Sequence, residues 1–258
     1  MKTFLAASFI MGGLLMSSVA AAADKPTVVL VHGAFADNSS WNGVINILED
    51  KGYPVVAAAN PLRSVKGDAE YVASIVAGIK TPVVLVGHSY GGAVISEAAK
   101  GQANVKALVY VAGFAPDVGD TPAKLAGKFP GGTLGPNLAP PVTLKSGDKD
   151  LYIQQDKFHA QFAADVSEKE AKLMAATQRP ITEAALNEAP TAPAWKNVPS
   201  WFIYGDQDKN IPAQAHAFMA ERAHSKQTVA IKGASHVVMV SNPEPVASLI
   251  ERAALAAR

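Results

Sequence analysis

Along this chain, short and fully apolar runs alternate with segments whose apolar side chains recur every three or four residues. Thr27–Val31 (TVVLV) and Pro82–Val86 (PVVLV) are β-branched and uninterrupted by polar groups, which predicts strands buried on both faces of a sheet. Pro54–Ala59, Val105–Ala112, Ser200–Tyr204 and Thr228–Ile231 read as further strands. Between them, Trp41, Val44, Ile45 and Leu48 share one helical face, and Gly52 stands where a helix from Trp41 to Lys51 would end. Tyr71, Val72, Ile75, Val76 and Ile79 do the same for a helix over 68–80. Tyr90–Lys100, Pro212–Ala223 and the segment from Pro243 onward read as the remaining helices. Strand and helix in alternation place the chain in the α/β class, with a mostly parallel, doubly wound sheet and right-handed crossovers.

The alternation stops between Phe114 and Pro199. Proline and glycine crowd residues 116–141, and two helical stretches follow, near 151–164 and 167–176. A structureless loop of that length is unusual in one domain, so an inserted helical lid over 116–197 is expected, with core segments 24–115 and 198–258 on either side. Residues 1–23 differ in kind: Lys2, an apolar run from Phe4 to Met16, then small residues from Ser17 to Ala23. This is the three-part pattern of a secretory signal peptide, and its apolar run is shorter than the roughly 20 residues a membrane span needs. Cleavage after Ala22 or Ala23 and a secreted or periplasmic mature protein without a membrane anchor are expected.

Composition narrows the chemistry. The 258 residues include 49% apolar and 17% charged residues with a net charge of +1 and no basic stripe, which argues against disorder and against a nucleic-acid partner. There is no cysteine, hence no disulfide, no thiol nucleophile and no cysteine zinc site. No metal or other cofactor is implied. Nothing in the sequence indicates an oligomeric state.

The sharpest motif is Gly87-His88-Ser89-Tyr90-Gly91, a G-x-S-x-G directly after an expected strand and directly before an expected helix. In that context the serine sits on a strained turn, its hydroxyl exposed at a helix N-terminus. A serine needs a base and an orienting acid, and in this arrangement they follow in the order Ser, acid, His. His236, after the last strand, has the right place. His32 and His88 sit in turn motifs, His159 falls in the lid, and His216 and His224 fall on an exposed-looking helix. Asp206 and Asp208, after the penultimate strand, are both candidates for the acid, with Asp117 a distant substitute. The oxyanion needs two backbone donors: the amide of Tyr90, and one from Ala34 or Phe35 in the turn after the first strand.

The runs VVLVHGAF, PVVLVGHSYGG, YVAGFAPD, YGDQDKNIP and GASHVVMVSNP resemble the α/β-hydrolase superfamily, and more narrowly the branch of plant methylesterases and hydroxynitrile lyases with related bacterial carboxylesterases. The resemblance covers most of the chain beyond residue 23 and is weakest across the lid. It implies the α/β-hydrolase fold, a triad of Ser89, Asp208 and His236, and an oxyanion hole at Ala34 and Tyr90. It also implies hydrolysis of a small-molecule ester through an acyl-enzyme. The lyase members carry threonine where this chain has Gly33, and lysine where it has Val237; both departures count against cyanohydrin cleavage. Dehalogenases and many epoxide hydrolases carry aspartate in place of Ser89. Phe35, Phe114, Phe158, Phe162 and Trp195 are expected as apolar pocket walls. Lactone, amide or C–C hydrolysis or perhydrolysis on the same triad, and a binding protein retaining the fold, are the alternatives.

Overall fold

The computed structural model describes residues 25–257, so the expected leader at 1–23 lies outside the described residues. In chain order the core begins with β1 (Thr27–Val31), α1 (Asn42–Asp50), β2 (Val55–Ala58), α2 (Val65–Ala77), β3 (Val83–His88), α3 (Tyr90–Ala98) and β4 (Val105–Val111). The segment that interrupts the alternation holds α4 (Pro122–Ala126), β5 (Val142–Thr143), β6 (Lys149–Leu151), α5 (Gln155–Phe162), α6 (Glu168–Thr177), β7 (Ile181–Thr182) and α7 (Glu183–Leu186). The core resumes with β8 (Ser200–Gly205), α8 (Ala213–Arg222), β9 (Gln227–Ile231), α9 (Val238–Ser241) and α10 (Pro243–Ala256). No helix among the described residues is long and apolar enough to cross a membrane.

Every residue of β1, β3 and β8 is buried, as expected of apolar strands covered by helices on both faces. Helix α2 starts at Val65, three residues ahead of its predicted start, because Ser64 caps it by accepting from the Gly67 amide. Helix α1 is preceded by a 3₁₀ turn over Asn38–Trp41, capped by the Asp37 carboxylate, and the chain leaves it at Gly52 with φ 72°.

The six core strands are parallel, in the order β2-β1-β3-β4-β8-β9. The chain moves outward from β1 to β2, then returns to place β3 on the other side of β1. That reversal opens a crevice beyond the carboxyl ends of β1 and β3, where ligands bind in open α/β sheets. The turns after these two strands carry Ala34 and Ser89.

The segment between β4 and β8, the cap segment, lies outside the six-stranded sheet. Its helices α5 and α6 fall close to the two predicted stretches, and it adds an antiparallel ribbon of β5, β6 and β7. Strands of two or three residues are too short to show a period of two, which is why the sequence pattern did not reveal them. The cap is fastened to the core through Arg63, in the loop between β2 and α2. Arg63 donates to Asp150 Oδ1 at 2.5 Å and to the Pro180 carbonyl at 2.9 Å, and the Thr182 hydroxyl donates to the Arg63 carbonyl at 2.7 Å.

Candidate active site

Ser89 follows β3 in a conformation that few L-residues adopt, φ 53° and ψ −123°. Such backbone costs about 1–3 kcal/mol and persists only where its surroundings hold it. Here the Ser89 amide donates to the carbonyls of Val111 and Ala112 at the end of β4, and its carbonyl accepts from Gly92 and Phe114, both at 3.0 Å. Glycine is required beside the turn: a Cβ on Gly87 would lie 2.5 Å from the Gly91 carbonyl oxygen. The serine thus opens helix α3, whose first amides are free of helical partners.

Asp208 follows β8 and His236 follows β9, so sheet order brings both to the same edge as Ser89. Both side chains are wholly buried, and His236 Nδ1 donates to Asp208 Oδ2 at 2.7 Å. The other carboxylate oxygen, Oδ1, accepts from the amides of Asn210 at 2.8 Å and Ile211 at 2.9 Å. Burial by itself would push the Asp208 carboxyl up. The charge on His236 and the hydrogen bonds from His216 and His236 outweigh it and hold the carboxyl well below its ordinary range. With Nδ1 committed to the carboxylate, the lone pair of His236 sits on Nε2, which is buried and has no hydrogen-bond partner among the described residues. The arrangement is that of an oriented general base.

Asp206, the competing candidate for the acid, lies in an exposed turn where its Oδ1 accepts from the Gly233 amide at 2.7 Å. It braces the turn after β9 and does not meet His236. Asp117 pairs on the surface with Lys196 at 2.5 Å. Of the two amides weighed in the turn after β1, that of Phe35 already donates to the Arg179 carbonyl at 2.9 Å. The amides of Ala34 and Tyr90 have no partner among the described residues, which leaves both available to an oxyanion.

Three other histidines frame the site. His88 is wholly buried, and burial pushes its pKa well below the ordinary 6.5. The neutral ring stands 4.8 Å from that of His236, with Nε2 3.2 Å from the His236 carbonyl, to which it donates. His32 donates from Nδ1 to the Gly33 carbonyl at 2.9 Å. His216 departs from expectation. The sequence pattern suggests an exposed helix, yet the side chain is 1% exposed and its Nε2 stands 3.1 Å from Asp208 Oδ2. The signal was present in the inward stripe Ala215, His216, Met219 and Ala220 of α8, whose spacing sets His216 among core residues.

A cavity of about 260 Å³ opens on Ser89. Phe35 and Phe114 line it, together with Pro122, Leu134, Leu138 and Leu186. Phe158, Phe162 and Trp195 are elsewhere, which corrects the expectation for these three. Phe162 is wholly buried behind the site, its ring 5.1 Å from that of His236 and 4.9 Å from that of Phe158. Trp195 donates from Nε1 to the Pro116 carbonyl at 2.9 Å and lies against Arg222. These aromatic rings found better partners in the core than in the cavity.

Two polar residues that the sequence pattern does not mark tie the segment between β4 and β8 to the loops of Asp208 and His236. Gln161 on α5 accepts at Oε1 from Thr133 at 2.8 Å and Asn137 at 2.7 Å, and donates from Nε2 to Asn210 Oδ1 at 2.6 Å. The Ser235 hydroxyl, next to His236, donates to the cap residue Asp165. Among the described residues no cluster of histidine and carboxylate groups has the arrangement to hold a metal ion.

Residues 28–249 match the profile of the alpha/beta hydrolase family. The chain is 26% identical over 242 residues to an alpha-hydroxynitrile lyase of Arabidopsis thaliana, covering 85% of this chain and 93% of the lyase. Its fold superposes on polyneuridine aldehyde esterase with a TM-score of 0.75 at 20% identity, over 89% of this chain and 99% of that one. A pyrethroid hydrolase from Sphingobium faniae JZ-2 gives 0.70 at 20% identity, over 89% and 97%. The six-stranded parallel sheet, the serine elbow and the extent of the profile match agree: the chain belongs to the alpha/beta hydrolase family.

Proposed function

We propose that the chain is a serine carboxylesterase that cleaves small, largely apolar esters through Ser89, His236 and Asp208. The observation that carries this reading is the buried Asp208–His236 pair at 2.7 Å, with Nε2 left free, beside a strained serine that opens on an apolar cavity. Ser89 Oγ attacks the ester carbonyl as His236 Nε2 takes its proton. The oxyanion is held by the amides of Ala34 and Tyr90. The imidazolium, held in place by Asp208, then protonates the departing alcohol and leaves an acyl-serine. A water activated by His236 attacks that ester, and the acid leaves. Each proton taken is returned, and the acyl–oxygen bond broken is replaced by one from water, so the cycle balances with water alone.

Two of the matched proteins are named as an esterase and a pyrethroid hydrolase, which supports an ester substrate. The similarity to a hydroxynitrile lyase favours a second reaction, but local packing opposes it. Gly33 has no space for a threonine side chain, and Val237 is wholly buried where a charged lysine would be required. Residues 1–23 complete the proposal as a cleaved export signal, so N-terminal sequencing of the exported protein should begin at Ala23 or Asp24.

An activated alkyl phosphonate ester tests the site without a choice of substrate. The account expects one covalent adduct per chain, mapped to the peptide containing Ser89 and absent in Ser89→Ala. Labelling that persists in Ser89→Ala, or an adduct on another residue, contradicts it.

A further inference from the structure

The triad acid has a second histidine on the same oxygen. Asp208 Oδ2 accepts from His236 Nδ1 at 2.7 Å and from His216 Nε2 at 3.1 Å, while Oδ1 is saturated by the amides of Asn210 and Ile211. The His216 ring is fixed: it stacks on Tyr204 of β8 with centroids 4.8 Å apart and an interplanar angle of 15°, and it is buried on the inward face of α8. We propose that His216 is a positioning residue of the triad, whose Nε2–H shares Asp208 Oδ2 with His236 and so sets how strongly the carboxylate holds the His236 proton.

The physical argument rests on one acceptor serving two donors. A carboxylate oxygen that accepts a second N–H has part of its charge neutralised, so it stabilises a neighbouring imidazolium less. The same N–H dipole turns its positive end toward the imidazolium. Both effects make it easier for His236 to lose the proton that catalysis places on it. Both also require His216 to be neutral, with its proton on Nε2. Burial favours that form and pushes the His216 pKa below its ordinary 6.5, against the pull of Asp208. The ionisable groups around it are Tyr204 from β8, Asp208 from the loop after β8 and His236 from the loop after β9; His88, at the end of β3, lies against His236 in turn.

This inference rests on the esterase reading, and its test separates the two. The pH dependence of kcat/KM is measured for the wild type, His216→Phe and His216→Gln, with His216→Leu as the second non-donor should the phenylalanine fail to fold. Removing the donor should move the acid limb upward by about 0.5–1 pH unit, and glutamine, which can still donate to Oδ2, should restore it. A change in packing alone would lower the amount of folded enzyme without moving the limb. Because turnover is not needed to see the contact, the low-field NMR resonance of the His236 Nδ1 proton is followed in the same proteins. It should move downfield in the non-donor variant and return in His216→Gln. A limb and a resonance unmoved in a folded non-donor variant, or moved equally in His216→Gln, overturn the proposal. Absence of ester turnover in the wild type would remove the esterase reading and leave the resonance as the test of the hydrogen bond.

Discussion

Gly33 and Ser89 stand so close that a Cβ built on the glycine would lie 2.5 Å from the serine Cβ and 2.8 Å from the His88 carbonyl oxygen. The turn after β1 and the elbow after β3 therefore meet with no space between them. That contact fixes where the Ala34 amide stands relative to Ser89. Gly33→Ala should lower kcat/KM at least about 100-fold and destabilise the fold by roughly 1–3 kcal/mol, because one of the two turns must move. Gly33→Thr should be worse on both measures and should gain no cyanohydrin cleavage. Steady-state kinetics and denaturant melts check this; near-normal ester hydrolysis by the threonine variant would show that the two turns yield easily.

The two aspartates after β8 make a matched pair for mutation. Asp208 holds His236 and is buried, whereas Asp206 is exposed and accepts from Gly233. Asp208→Asn should cost about 10³–10⁴-fold in kcat, since the amide presents a donor where the histidine needs an acceptor. Asp206→Asn keeps an acceptor for the Gly233 amide and should change the rate only a few-fold. Equal losses in the two variants would reassign the acid.

The esterase proposal expects residues that line the cavity to shape acyl preference and residues outside it only to pack. Leu186 lines the cavity, and Leu186→Ala should shift the preferred acyl chain upward by about two or three carbons. Trp195→Phe loses the hydrogen bond to the Pro116 carbonyl and should cost about 1 kcal/mol of stability with no change in acyl preference. A panel of esters of increasing chain length reads both. A shifted preference in Trp195→Phe would return Trp195 to the pocket.

Stability should fall in mild acid. Burial pushes the pKa values of His32, His88 and His216 below the ordinary 6.5, so each stays neutral in the fold at a pH where the unfolded chain has taken up the proton. The unfolded state then binds more protons, and stability drops as pH falls through about 6.5, by up to about 1.4 kcal/mol per pH unit for each histidine. Asp208, whose pKa is held low, acts only in stronger acid: its contribution is present above about 3.9 and is lost further down. Urea midpoints at pH 7.5 and 5.5 should differ, the lower at pH 5.5; equal midpoints would mean that the buried histidines accept protons without unfolding.

The parallel core, and the placing of Ser89 and His236 directly after two of its strands, were legible because local pattern and global position agree. The runs TVVLV and PVVLV are apolar since their strands are covered on both faces, and catalytic groups stand in the turns that end such strands. The burial of His216 was legible in the inward stripe of α8, but its partner was not, because Asp208 reaches it from the loop that precedes the helix rather than by a helical spacing. The pocket was only half legible for a related reason. Pro122, Leu134, Leu138 and Leu186 come from separate stretches of the cap with no common period, and only the fold gathers them around Ser89. Phe158 and Phe162 carry no sequence mark that distinguishes a pocket wall from a ring packed behind His236.

The most direct measurement is hydrolysis of p-nitrophenyl esters of two to twelve acyl carbons by the wild type and by Ser89→Ala, without added metal. The account predicts wild-type turnover with an optimum among the short chains, reduced by several orders of magnitude in Ser89→Ala at unchanged thermal stability. Turnover that survives in Ser89→Ala, or a folded wild type inactive on every ester, would contradict it.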